Sequence, residues 1–146
     1  MKRLLFLTSI LILLLILLFD SATNLSANNQ FIQTVSGLEY KDLKIGNGPE
    51  ARLDKTATIH FVGWLSDNGQ RGKEIYNSRK EREPVSFVIG TDQVMQGWNE
   101  GVVGMKAGGI RMLRLPPGLA YGAKDIDNVV PAHASLIFII ELLEIR

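Results

Sequence analysis

Residues 92–103 read DQVMQGWNEGVV, and the apolar side chains of this stretch recur at helical spacing. The residues at this spacing are Val94, Trp98, Val102 and, more loosely, Met95. Gly97 and Gly101 each lower the helix propensity by up to about 1 kcal/mol relative to alanine, but small residues also let a helix lie close against a sheet. The stretch therefore predicts one short helix, capped at its start by Thr91 or Asp92.

Strand patterns occur on both sides of this helix. Apolar and polar residues alternate from Thr56 to Leu65, as in a half-buried strand, and Leu113 and Leu115 alternate with the arginine between them. The apolar run within Ser135–Ile145 predicts a central strand covered on both faces near its start. Shorter strands are predicted at Leu38–Ile45, Lys73–Asn77 and Val85–Ile89. One helix among several strands predicts an α+β domain whose antiparallel sheet packs on the helix.

The N-terminal segment has the composition of an export signal. Residues 4–19 are almost entirely apolar, follow Lys2 and Arg3, and end at Asp20. The run is slightly shorter than the roughly 20 residues that span a bilayer as a helix. Cleavage after Ala22 or Ala27 and retention as an uncleaved anchor both remain open.

The chain has 146 residues, which is enough for one domain with a substantial core. The patterns above divide it into three segments. We expect residues 1–27 to be a signal peptide or N-terminal membrane anchor, residues 28–34 a linker, and residues 35–146 the folded domain. The expected location is outside the cytoplasm, most readily a bacterial periplasm, with residues 4–19 as a possible attachment to the inner membrane. Contact with a membrane is expected only through this segment.

Charge and residue types exclude several kinds of chemistry. The net charge is +1, and Lys2, Arg3 and Asp20 account for it, so the folded domain is neutral and nucleic acid is not an expected partner. There is no cysteine, which excludes thiol catalysis, disulfides and cysteine-ligated zinc. His60 and His133 have no partner at metal-ligand or base-catalysis spacing. We therefore predict neither a metal site nor a cofactor.

Five segments remain that carry aromatic and aliphatic side chains without a nucleophile. In chain order they are IHFVG at 59–63, PVSFVIG at 84–90, QVMQGWNEGV at 93–102, LPPGLAYG at 115–122 and VVPAHASLIF at 129–138. In order and spacing, these segments resemble the FKBP-type peptidyl-prolyl cis-trans isomerases, the immunophilins that bind macrolide drugs. The resemblance covers about residues 35–146.

The resemblance implies a twisted antiparallel sheet wrapped around one short helix, and an enzyme that accelerates X-Pro isomerisation in proline-containing polypeptides. It implies that Trp98 forms the floor of a proline pocket, that the Tyr121 hydroxyl bonds a substrate carbonyl, and that the Met95 backbone N–H bonds another. The catalytic positions that it implies are Trp98, Tyr121, Phe138 and Phe61. The substrate-binding positions are Val94, Met95, Val129, Val130, Ile75, Tyr76, Val85 and Phe87.

One wall of the implied pocket departs from the family pattern. Ile75 and Tyr76 stand where family members often carry phenylalanine and aspartate, and Val85 replaces another frequent phenylalanine. The departures imply reduced affinity for macrolide inhibitors. They also leave open an alternative function, that of a non-catalytic proline-binding module or chaperone with an altered pocket.

Overall fold

The computed structural model describes residues 30–146. This part of the chain forms strands β1 to β7 and one α-helix, α1, with a 3-10 turn before the last strand. Their bounds are β1 Ile32–Gln33, β2 Glu39–Lys44, β3 Thr56–Asp67, β4 Gln70–Asn77, β5 Val85–Val88, α1 Gln96–Val102, β6 Ile110–Leu115, the 3-10 turn Pro117–Leu119 and β7 Leu136–Ile145.

The strands form one antiparallel sheet in the order β1-β2-β6-β7-β3-β4, with β5 paired to the first half of β3. Strand β7 lies between β6 and β3, and it pairs with both along most of its length. The α+β class and the central position predicted for Ser135–Ile145 are both confirmed.

The core lies between the sheet and α1. Buried and partly exposed residues alternate along β3, so one face of this strand points into the core. Ala57, Ile59 and Phe61 are buried, whereas Thr58 and His60 face away from the core. On α1, Trp98 and Val102 are buried against the same face of the sheet. Each buried aliphatic or aromatic side chain stabilises the fold by about 1.5–3 kcal/mol relative to exposure.

The start of the helix differs from the prediction. Helix α1 begins at Gln96, with Met95 at the N-cap and no side-chain capping bond, so the cap predicted at Thr91 or Asp92 is wrong. The Thr91 hydroxyl instead donates to the Val88 carbonyl at 2.8 Å. The side chain of Asn99 donates to the Thr91 carbonyl at 2.5 Å. These bonds hold residues 91–95 as a turn that connects β5 to the helix.

The C-terminal end of α1 is held by a buried arginine. Nη1 of Arg111 donates to the carbonyls of Gly101 and Val103, at 3.0 Å and 3.1 Å. Its Nε and Nη2 donate to the two carboxylate oxygens of Asp42, at 2.7 Å and 3.1 Å. Because β2 and β6 supply this pair, the sheet fixes the end of the helix that carries Trp98.

The sheet begins before residue 35. Ile32 and Gln33 pair with Tyr40 and Glu39, so β1 lies in the segment expected to be a linker. No helix within residues 30–146 has the length and apolar character to cross a membrane. The apolar run at 4–19 lies outside the described residues.

Candidate functional site

A cavity of about 390 Å³ opens on the side of the core where α1, β3, β4 and β7 meet the loop before β7. Its lining is mostly apolar and aromatic, as is typical of small-ligand sites. The lining residues are Phe61, Ile75, Tyr76, Met95, Trp98, Tyr121, Ile126, Asp127, Val129, Val130 and Phe138.

Trp98 is fixed in this cavity by the rings around it. The Phe61 ring lies edge-on to the indole at a centroid distance of 4.4 Å, and the Phe138 ring lies edge-on at 5.3 Å. The Phe87 ring lies 6.1 Å from the indole. The buried Nε1 of Trp98 has no hydrogen-bond partner in the described part of the chain. Packing therefore holds the indole, and edge-to-face pairs favour this arrangement of rings.

Tyr76 forms an aromatic wall beside this floor. Its ring stacks on Phe61 with centroids 5.0 Å apart and an interplanar angle of 13°. Tyr76 is 43% exposed, so it belongs to the rim of the cavity rather than to the core. The neighbouring Ile75 is partly buried against the core cluster.

Tyr121 brings a hydroxyl to the mouth of the cavity. The residue is 37% exposed, and its hydroxyl makes no hydrogen bond within residues 30–146. Partial burial raises the pKa of Tyr121 above its ordinary value, because desolvation disfavours the phenolate. The side chain is thus a neutral donor at physiological pH, with its hydrogen-bonding capacity unused.

A tight hairpin forms the far wall. Asp127 and Asn128 have φ values of 49° and 58°, and the Val129 N–H donates to the Ile126 carbonyl at 2.7 Å. Two consecutive left-handed residues closed by such a bond are the signature of a type I′ turn. The turn places Val130 and its neighbours against the cavity and Asp127 at its mouth.

Most of the site residues expected from the sequence meet in this cavity: Trp98, Tyr121, Phe138, Phe61, Met95, Val129, Val130, Ile75 and Tyr76. Val94, Val85 and Phe87 are not among its lining residues. Phe87 is buried, and its ring neighbours the indole of Trp98. Val94 and Val85 are partly buried and pack on the core.

Two lining residues, Ile126 and Asp127, were missed. The stretch around them has no strand or helix periodicity, and its shape depends on the left-handed conformations of Asp127 and Asn128. A pair of adjacent aspartate and asparagine residues before Val129 is a signal for a two-residue hairpin turn, because both residues tolerate positive φ.

Residues 30–146 contain no group of three or more His, Asp or Glu side chains placed to hold a metal ion. His60 lies on the outer side of β3, where its Nδ1 is 2.8 Å from the Ser78 hydroxyl. The lining residues of the cavity include no serine, threonine, lysine or histidine. Its arrangement can bind an apolar group against Trp98 and donate a hydrogen bond from Tyr121.

The model of the FKBP-type peptidyl-prolyl cis-trans isomerase family matches residues 48–143. An "FK506-binding protein" of Neisseria meningitidis serogroup B is 41% identical over 111 residues, which cover 76% of this chain and 98% of that protein. An "FK506-binding protein 4" of Aspergillus fumigatus is 36% identical over 115 residues, covering 79% of this chain and 22% of that protein.

Solved structures have the same fold. The crystal structure of FkpA from Escherichia coli has a TM-score of 0.72 at 31% identity, covering 87% of this chain and 56% of that chain. The present chain therefore corresponds to little more than half of that protein. The crystal structure of AtFKBP13 has a TM-score of 0.70 at 34% identity, covering 79% of this chain and 98% of that chain.

Proposed function

The chain belongs to the FKBP-type peptidyl-prolyl cis-trans isomerase family, and from this premise we propose that it accelerates X-Pro isomerisation during the folding of exported proteins. The observation that carries the proposal is the cavity itself. It combines a closely packed indole floor at Trp98 with a Tyr121 hydroxyl that makes no hydrogen bond within residues 30–146.

Such a cavity can act without acid or base. Amide resonance sets a rotation barrier of about 18–20 kcal/mol, and X-Pro bonds exchange in tens to hundreds of seconds. An apolar environment disfavours the planar, charge-separated amide relative to the less polar twisted one. Trp98 offers the pyrrolidine ring a flat apolar surface, and the Tyr121 hydroxyl can donate to a carbonyl in the twisted state. Binding the twisted state more tightly than the planar one lowers the barrier.

Exchange NMR on a capped X-Pro peptide tests the activity without a coupled protease. We expect catalytic amounts of the protein to broaden or exchange the cis and trans resonances. Tyr121→Phe removes the hydroxyl donor and keeps the ring. The decrease in its isomerisation rate relative to the wild type therefore measures the contribution of the hydroxyl. Trp98→Ala removes the floor and should also lower the rate. If that variant does not fold, Trp98→Phe, which keeps an aromatic ring at the floor, takes its place. Absence of acceleration by the wild-type protein would refute the enzymatic proposal.

A second candidate is a proline-binding module or chaperone that binds without accelerating exchange. The Phe61–Tyr76 stack favours it, because Tyr76 stands where family members often carry aspartate. Peptide binding seen as shifts of the cavity resonances, with no change in exchange rate, would distinguish this function from catalysis.

The cavity is also the proposed site for macrolide inhibitors. Relatives carry the name FK506-binding protein, and the altered wall at Ile75 and Tyr76 leads us to propose weaker binding here. Titration calorimetry with FK506 on the wild type and on Tyr76→Asp tests this, and tighter binding by the variant is expected. Equal affinities would exclude Tyr76 as the cause.

We further propose that the protein works outside the cytoplasm, most readily in a bacterial periplasm. The support is the sequence of residues 1–27, a basic start followed by a short apolar run. N-terminal sequencing of the protein from an envelope fraction would distinguish cleavage after Ala22 or Ala27 from an intact anchor at residues 4–19. Recovery of the full-length protein only from the cytosol would contradict export.

A further inference from the structure

One charged side chain lines an otherwise uncharged cavity. Among the described residues that form its wall, only Asp127 carries a formal charge at neutral pH. The carboxylate is exposed and takes part in none of the ion pairs within residues 30–146. It is therefore available to a bound molecule.

The position of this carboxylate is set by the backbone. Asp127 is the first of the two left-handed residues of the hairpin turn, and the turn is closed at Ile126 and Val129. The Asn128 N–H is also bound by the side chain of Asp125, at 3.1 Å. The carboxylate thus stands on a turn with defined hydrogen bonds, which lowers the conformational cost of using it in recognition.

Two exposed tyrosine rings share the rim with Asp127. Tyr76 is 43% exposed with one face against Phe61, and Tyr121 is 37% exposed. An aromatic face attracts a cation, and a cleft with low-dielectric walls strengthens the field of a charge within it. The described domain carries no net charge, since the +1 of the chain is cancelled when Lys2, Arg3 and Asp20 are removed. The local carboxylate is thus not opposed by a general positive field.

We propose that Asp127, with the rings of Tyr76 and Tyr121, makes the site selective for proline segments that carry a lysine or arginine next to the proline. The inference rests on the proposed function, because it specifies which X-Pro segments this cavity accepts. A basic side chain would place its apolar stem along the rim and its charge beside the carboxylate. An acidic side chain at the same place would be repelled.

The test compares capped peptides that differ only in lysine, glutamine or glutamate beside the proline, in one series before it and in another after it. In the wild type, we expect kcat/KM for the lysine peptide to exceed that for the glutamate peptide by about two- to fivefold in at least one series, as for an exposed ion pair. The ratio of the two kcat/KM values should fall toward one in 1 M salt, because the Debye length at that ionic strength is only about 3 Å.

Asp127→Asn is the principal variant, since asparagine also tolerates the left-handed conformation and keeps the turn. It should bring the lysine-to-glutamate ratio of kcat/KM to one, and this ratio is the readout because it does not depend on the basal activity of the variant. Asp125→Asn is the matched control, because it removes the same charge from the same loop outside the cavity lining and keeps an Oδ1 that can accept the Asn128 N–H bond. A wild-type ratio of one, or equal effects of the two variants, would overturn the inference.

Failure of the proposed function has a different signature. If no peptide is accelerated, the same series is compared by binding, through the shifts of the cavity resonances. A lysine preference in affinity that Asp127→Asn removes would support the charge selectivity without catalysis. Equal affinities would reject it.

Discussion

The rings of Phe61 and Tyr76 lie face to face, with centroids 5.0 Å apart and planes inclined by 13°. Phe61 also meets the indole of Trp98 edge-on at 4.4 Å, so its ring joins the exposed wall to the buried floor. The register pairs Gly63 of β3 with Tyr76 of β4, which brings the Tyr76 ring over the Phe61 side chain. Tyr76, which departs from the family pattern, thus packs against Phe61, and Phe61 in turn packs against Trp98 at the floor of the cavity.

Removing the stacked ring should weaken the fold modestly. We expect Tyr76→Ala to lower the free energy of unfolding by about 0.5–1.5 kcal/mol, as for other aromatic pairs, together with the area that the ring buries. Tyr76→Phe keeps the stack and should match the wild type. Urea denaturation measures both variants. A stable Tyr76→Ala, equal to Tyr76→Phe, would show that the stack contributes nothing.

A methyl group added at Gly101 should destabilise the protein although it favours the helix. Its Cβ would overlap the side chain of Leu113 on β6. Overpacking typically costs about 1–3 kcal/mol, against a gain of up to about 1 kcal/mol in helix propensity. Gly118→Ala is the control, because nothing lies within 4 Å of the Cβ position there. A rise in melting temperature for Gly101→Ala would contradict the close contact of α1 with the sheet.

Replacing Arg111 should disturb the floor of the cavity from a distance. Arg111→Lys cannot bond the carbonyls of Gly101 and Val103 and both carboxylate oxygens of Asp42 together. We expect a loss of about 1–3 kcal/mol in unfolding free energy, from buried acceptors left without a donor. Trp98 fluorescence, measured with Trp64→Phe because the chain has two tryptophans, should report altered packing. Unchanged fluorescence and stability would show that the position of α1 does not depend on the hydrogen bonds of Arg111.

The Tyr121 hydroxyl should titrate above the ordinary tyrosine value of about 10. Its pKa is raised by burial, so the folded state holds this proton more tightly than the unfolded state does. The associated stability is fully present below the unfolded-state pKa and is lost as pH rises through the folded-state pKa. The difference between ultraviolet titrations of the wild type and Tyr121→Phe isolates this group. A midpoint at or below 10 would contradict the desolvation.

The main features of the fold follow from sequence pattern. Alternation predicted β3, and the apolar run of β7 predicted its central place, because burial on two faces leaves no polar side. The start of α1 could not be predicted in this way. Thr91 has the chemistry of a cap, but its hydroxyl bonds the Val88 carbonyl in the preceding turn. Which partner the Thr91 hydroxyl bonds depends on where the turn lies in the folded protein.

The resemblance to the family assigned Trp98 and Phe138 to the cavity, whereas the sequence pattern alone placed them only in a helix and a strand. The place of Asp127 in the cavity was not predictable, because nothing in local periodicity indicates which way a loop residue faces. Phe87 shows the converse case. The sequence pattern predicted only that Phe87 lies in a short strand, and whether its ring lines the cavity or lies behind the indole depends on packing between elements.

The central place of β7 also determines the order in which the sheet can form. Strand β3 can pair with β4 and β5, and β2 with β6, but these two partial sheets join only through residues 136–145. Until β7 pairs with both, β3 and β6 each have an unpaired edge, and such an edge can pair with another chain. The incompletely folded protein is therefore prone to edge-to-edge aggregation until its last strand closes the sheet.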